Sequence, residues 1–184
     1  MTPDAVLSFW FAPENEPRWF VKSDAFDSEI RDRFSNVYEQ AANAVLDDWA
    51  ETMEGRLALI IVLDQFPRNM FRGSPRTFSS DSKALQLTKD GIILGQDAQL
   101  SGEALSFFYM PLMHSENLPD QELSVALYEK ASLTNANFAD HVTYAIAHRD
   151  IIARFGRFPH RNKILGRVTT PEEEEFLKGP MSSF

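Results

Sequence analysis

Residues 26–49 read FDSEIRDRFSNVYEQAANAVLDDW. Phe26, Ile30, Phe34, Val37, Ala41, Val45 and Leu46 recur at three- and four-residue steps, the spacing that puts side chains on one face of an α-helix. Ser23 or Asp24 stands where a capping residue is needed, so the stretch predicts a long amphipathic helix through Trp49.

The same reading extends outward. Thr2-Pro3 supplies a cap and a first-position proline before DAVLSFWF. A helix starting near Glu54 carries LALIIVL (Leu57 to Leu63) toward Pro67; being apolar all round, it belongs in the middle of the fold. SPRTFSSDSKALQLTKDG holds turn residues, a Ser/Asp cap, one amphipathic helix and a stop at Gly91. EALSFFYMPLM, QELSVALYEKASL, NFADHVTYAIAHRDIIARF (ended by Gly156) and EEEEFL after Thr170-Pro171 complete the series. No segment alternates like a strand. The expected architecture is all-α, an array of antiparallel helices with short connections in a single domain over 1–184.

Bulk properties exclude several functions. The chain has no cysteine, which removes disulfides, thiolate-zinc sites and thiol catalysis, and fits a reducing, cytoplasmic setting. MTPDAVLSFWFAPENEP has no basic start and carries Asp4 early, unlike a secretory signal. The longest apolar run is seven residues, too short to span a bilayer. A net charge of −9 argues against nucleic acid and anionic membranes as partners. No phosphate loop, dinucleotide fingerprint or calcium loop appears, so no cofactor is expected.

Against that acidic background, His148 to Arg167 (HRDIIARFGRFPHRNKILGR) carries a local +5 and leaves −14 on the remaining residues. Within it FPHRNKILGRVTTP echoes FPRNMFRGSP at Phe66: Phe-Pro, Arg-Asn, an apolar pair, Gly, then Ser/Thr-Pro. Proline disfavours helical geometry in the residue before it, so each copy reads as a stiff turn or kink aiming Arg68-Asn69 or Arg161-Asn162.

On a helical wheel His141, Tyr144, Ala145, His148, Ile151, Ile152 and Phe155 share one arc, and Asp150 and Arg154 point away. His141 reads as a core histidine. His148, followed by Arg149 and the basic turn, is a candidate to line a site. The two histidines are seven residues apart with no cysteine or third histidine nearby in sequence, so no metal site is expected. Asp64 and Arg68 sit at acid-before-base helical spacing on an apolar arc, which requires a paired, satisfied arrangement. His114, Ser115 and Glu116 follow the Pro111 interruption; Ser115 lacks the glycine context of a hydrolase nucleophile, and the segment reads as a capped helix end rather than a triad.

Together LALIIVLDQFPRNMFRGSPRTFSSD, FFYMPLMHSENLPDQELSV and YAIAHRDIIARFGRFPHRNKILGR resemble the signature segments of the bacterial family known as domain of unknown function 924. VLSFWF, RWFVKSDAFDSEIRDRF and LDDWAE fit it as well, so the resemblance covers nearly the whole chain. It implies a tetratricopeptide-like helical fold and no established activity. It carries over Asp64, Gln65, Arg68, Asn69, Arg72, His114, Glu116, His148, Arg149, Arg157, His160, Arg161 and Asn162 as the polar signature, with Met70 and Leu165 as ordinary apolar departures.

The functional expectation is an interhelical pocket for a small phosphate- or carboxylate-bearing molecule. Asp64, Arg68, Asn69, His114, Glu116, His148, Arg149, Arg157, His160, Arg161 and Asn162 would bind, and His114 or His148 would shuttle protons in any hydrolase-like turnover. The rival is a helical-repeat module whose groove takes an acidic peptide. A third reading makes the arginines structural, paired with internal Asp and Glu.

Overall fold

The computed structural model describes residues 1–183, and among them every regular element is helical, as the periodicity requires. The chain falls into two compact units, Met1–Pro111 and Leu112–Phe184.

The first unit opens with α1 (Pro3–Trp10), where the Thr2 hydroxyl accepts from the Ala5 N–H. Ser23 caps α2 (Asp24–Ala42) in the same way, through the Phe26 N–H. The α2 stripe is buried from Phe26 to Ala41, but the helix stops seven residues short of Trp49. Asn43 caps it, Ala44 turns to φ 64°, and the Val45 N–H reaches back to the Gln40 carbonyl at 2.9 Å. That is a six-to-one Schellman closure with alanine in the left-handed position usually given to glycine. Val45 is consequently exposed, and the sequence pattern past Ala41 is not a continuation of the buried face.

The central helix is three joined pieces: α3 (Met53–Ile60), a π-turn (Ile61–Gln65) and α4 (Phe66–Met70). Leu57 to Leu63 are 0–2% exposed, as an apolar-all-round helix demands. Pro67 does not break it. The wide turn brings the Phe66 N–H to the Ile61 carbonyl, and Phe66 keeps helical angles although proline follows. Proline offers no N–H to the Leu63 carbonyl four residues back, and the buried Ser80 hydroxyl donates to that carbonyl instead, at 2.6 Å. Phe9, Phe34 and Phe66 close over this helix with ring centroids 4.7–4.8 Å apart along the chain of contacts. Each such buried aromatic stabilises by about 1.5–3 kcal/mol relative to exposure.

Next comes α5 (Asp81–Ile93), which runs two residues past the expected stop at Gly91. Gly91 is instead a close-approach residue: a Cβ there would collide with the Phe108 ring and the Arg56 side chain. α6 (Gly102–Met113) keeps Pro111 inside it.

In the second unit α7 (Leu118–Ser132) packs on α8 (Ala139–Phe155). α8 ends at Gly156 with φ 66°, the predicted glycine stop. Short α9 (Asn162–Leu165) and α10 (Pro171–Phe176) follow, the latter opened by a full capping box between Thr170 and Glu173. Ile151, Ile152 and Phe158 form the core, with Phe155 and Phe176 against it.

Candidate functional site

The two echoed turns differ in backbone but share a chemistry. Phe66 lies within a helix, whereas Phe158 is extended (φ −89°, ψ 108°) and leads into a single 3-10 turn, the conformation a residue before proline favours. In each case the turn's asparagine and a nearby arginine, Arg72 inside the first turn and Arg157 just before the second, meet one buried carboxylate. In the first unit Asn69 Nδ2 donates to Asp27 Oδ1 at 2.9 Å, and Arg72 donates to both Asp27 oxygens at 2.8 and 2.9 Å. In the second, Asn162 Nδ2 donates to Glu173 Oε2 at 3.2 Å, and Arg157 donates to both Glu173 oxygens at 2.6 and 2.8 Å. Both acids stand near the start of a helix, α2 and α10, where backbone N–H groups and the helix dipole favour negative charge.

Asp64 and Arg68 are paired, as their spacing suggests. Asp64 is 1% exposed and accepts from the Gln65 amide; Arg68 lies 3.4 Å from it and also forks onto Asp81 at 3.0 and 3.1 Å. Desolvation lowers the Arg68 pKa, but Asp64 and Asp81 outweigh it and hold the guanidinium firmly charged.

The +5 segment is largely balanced within its own unit. Arg149 meets Asp150, Arg154 meets Glu172, Arg157 meets Glu173 and Arg167 meets Glu116. Glu116 accepts two bonds from Arg167 (2.7 and 3.0 Å) and one from the Phe158 N–H (2.7 Å). Burial raises its pKa; Arg167, that N–H and the nearby Arg161 charge overcome the effect and hold it low. Ser115 donates to Asp120 at 2.8 Å, and Gln121 Nε2 donates to the carbonyls of Met113 and Ser115 at 2.6 and 2.7 Å. The His114 segment is thus a capped helix end, as read.

Beside these pairs the second unit gathers His114, His148, His160 and Arg161. The His114 and His148 rings are 6.4 Å apart between centroids, His148 is 5.6 Å from Phe158, and His160 is 5.5 Å from the same ring. Arg161 lies over Phe158 at 4.6 Å and donates to the His114 carbonyl at 3.1 Å. His148 Nδ1 is 2.8 Å from the Tyr144 carbonyl, which makes Nδ1 the donor nitrogen of the neutral ring. Burial is the main reason the His148 pKa drops to about 3, and His114, Arg161 and His160 push the same way. His160 falls to about 4 through burial and then Arg161, with Glu116 pulling weakly against them. His141 stacks on Tyr128 and Phe138, a core role. Among the described residues no three His, Cys, Asp or Glu are arranged to hold a metal ion.

Sequence reasoning overlooked the carboxylates that organise these groups. Asp27 sits one position after Phe26 on a helix read only for its apolar stripe, and Glu173 lies in a run read as a favourable acidic first turn. The repeated Arg-Asn was the available signal, since an asparagine beside a buried arginine needs an acceptor on another element.

The chain belongs to the family described as bacterial protein of unknown function (DUF924), whose model matches residues 6–181. It is similar to a solved protein of unknown function, ATU0120 from Agrobacterium tumefaciens, with 39% identity and a TM-score of 0.88 over 96% of this chain and 97% of that one. No curated protein matches it. Among the described residues no helix is long and apolar enough to cross a membrane.

Proposed function

We propose that the second unit binds a small phosphate- or carboxylate-bearing ligand against Arg161 and the imidazoles of His114, His148 and His160. The observation that carries this reading is the grouping of His148, His160 and Arg161 around the Phe158 ring, with the His114 ring 6.4 Å from that of His148. A buried guanidinium over an aromatic ring gives a partly dehydrated fork for an oxyanion. Burial and the Arg161 charge keep His148 and His160 neutral, and an anion that offsets that charge would raise both pKa values, so binding favours proton uptake. In any turnover His148 is a poor proton shuttle, because a group with a pKa near 3 is too weak a base at neutral pH.

The test is imidazole proton NMR during titration with phosphorylated and carboxylated metabolites, with acidic C-terminal peptides as a competing class. The expected result is movement of the His114, His148 and His160 signals while His141 stays fixed, and loss of the response in Arg161→Lys. A peptide response instead favours an interaction groove. Four unmoved histidines across the panel sink the proposal and leave the cluster structural.

A further inference from the structure

The first unit carries a cleft of about 380 Å³ between the start of α2 and the end of α4, walled by Lys22, Asp24, Ser28, Arg31, Asn69 and Arg72, with Asp27 at its base. We propose that this cleft is a separate anion site that takes the phosphate group of a small phosphate ester.

The charges in the cleft are unequal in their commitments. Both Asp27 oxygens are occupied by Arg72 and Asn69, so the Asp27–Arg72 pair is neutral toward a visitor. Arg31 donates from Nε and Nη2 only to the Met70 carbonyl, at 3.4 and 3.3 Å, a neutral acceptor at the end of α4. Among the described residues neither Arg31 nor Lys22 meets a carboxylate, although Arg18, Arg33, Arg76 and Lys83 of the same unit all do. Arg31 acts on Asp27 only through space, so Lys22, Arg31 and Arg72 set against Asp24 and Asp27 leave the cleft net positive in a chain of net charge −9.

The geometry of the donors favours phosphate over carboxylate. Lys22 stands before α2, Ser28 and Arg31 project from it, and Arg72 follows α4. An ammonium, a hydroxyl and a guanidinium, from Lys22, Ser28 and Arg31, therefore line the one cleft. A tetrahedral group with three acceptor oxygens serves such a set, whereas a planar carboxylate best suits one in-plane fork. The volume fits a small metabolite, near the lower end of the roughly 300–1,000 Å³ usual for such sites. Asp24 opposes the charge and limits affinity, and it can accept a hydroxyl of the ester's organic part.

The experiment is titration of the whole protein with inorganic phosphate, followed by calorimetry, with acetate in parallel. Arg31→Ala removes an exposed side chain bonded only to one carbonyl, and Lys22→Ala removes one with no bond to lose, so both variants keep the fold. Each is expected to weaken phosphate binding about tenfold, the loss of one charge-assisted hydrogen bond. Asp24→Asn should tighten it. Arg76→Ala, outside the cleft, should leave it unchanged. Equal phosphate affinity in wild type, Arg31→Ala and Lys22→Ala overturns the proposal, and acetate binding as tightly as phosphate overturns the choice of ligand.

Discussion

Arg157 and Glu173, 16 residues apart, meet through two parallel hydrogen bonds, Nε to Oε1 at 2.6 Å and Nη2 to Oε2 at 2.8 Å. Arg72 and Asp27 do the same in the first unit at 2.8 and 2.9 Å, and an asparagine completes each clamp. Such a clamp, made by the turn's asparagine and an arginine outside the Arg-Asn pair, thus seats a buried acid at the start of a helix. It accounts for much of the positive charge collected near the C-terminus: acids from the adjoining segments meet it.

The clamp makes an acid-stability prediction. Arg157 pulls the Glu173 pKa from 4.5 to about 2, against burial, with the Thr170 N–H helping. A carboxylate with a lowered folded pKa contributes stability in full above its unfolded value and loses it as pH falls through the folded one. Urea midpoints of wild type should therefore drop more steeply between pH 4.5 and about 2 than those of Glu173→Gln. Parallel curves would show that the pair carries no linkage.

Ser80→Ala tests how the central helix tolerates Pro67. The variant leaves the buried Leu63 carbonyl without the hydroxyl that donates to it at 2.6 Å. An unsatisfied buried acceptor costs about 1–3 kcal/mol. Denaturant unfolding should show a loss in that range. An unchanged midpoint would mean the wide turn satisfies the carbonyl by itself.

Ala44→Gly should stabilise. Ala44 holds φ 64° in the Schellman closure of α2, a conformation costing an L-residue about 1–2 kcal/mol. Glycine avoids that cost but has more unfolded-state freedom to lose, about 0.5–1 kcal/mol. The net expectation is a gain of up to about 1.5 kcal/mol. A lower melting temperature would show that the alanine methyl makes a contact worth more than the strain.

Fold and site were legible in the sequence to different depths, for physical reasons. Periodicity reports burial on one element, so the α2 stripe to Ala41, the central apolar helix and the Ala145, His148, Ile151 and Ile152 part of the α8 arc were readable, whereas Tyr144 on the same arc is exposed. It says nothing of backbone closures such as Ala44, where valine and leucine continue the rhythm after the helix has turned away. Gly91 looked like a stop because a close approach by Phe108 and Arg56 leaves no local mark. The cationic side of the polar groups was visible because arginines cluster in sequence. Their partners were not, because Asp27 and Glu173 come from elements 45 and 16 residues away from the arginines they bind.

His148 offers the most direct check on the electrostatics of the second unit. Its pKa is about 3, set first by burial and then by His114, Arg161 and His160. Above pH 6.5 the ring is neutral whether the chain is folded or not, and it adds no pH dependence. As pH falls below 6.5 the unfolded ring takes a proton that the folded ring refuses until about 3, so stability declines across that window. In imidazole NMR the His148 signal should stay flat through pH 6.5 and begin to move only near the acid limit of the fold, with His160 moving near pH 4. His148→Asn should flatten the loss of stability between pH 6.5 and 3. A bound anion would raise both histidine midpoints, because it opposes the cationic neighbours that lower them. A His148 midpoint near 6.5 in the unliganded protein would show that the ring is solvated and the local potential ordinary. The reason for an anion to seek Arg161 would then be gone.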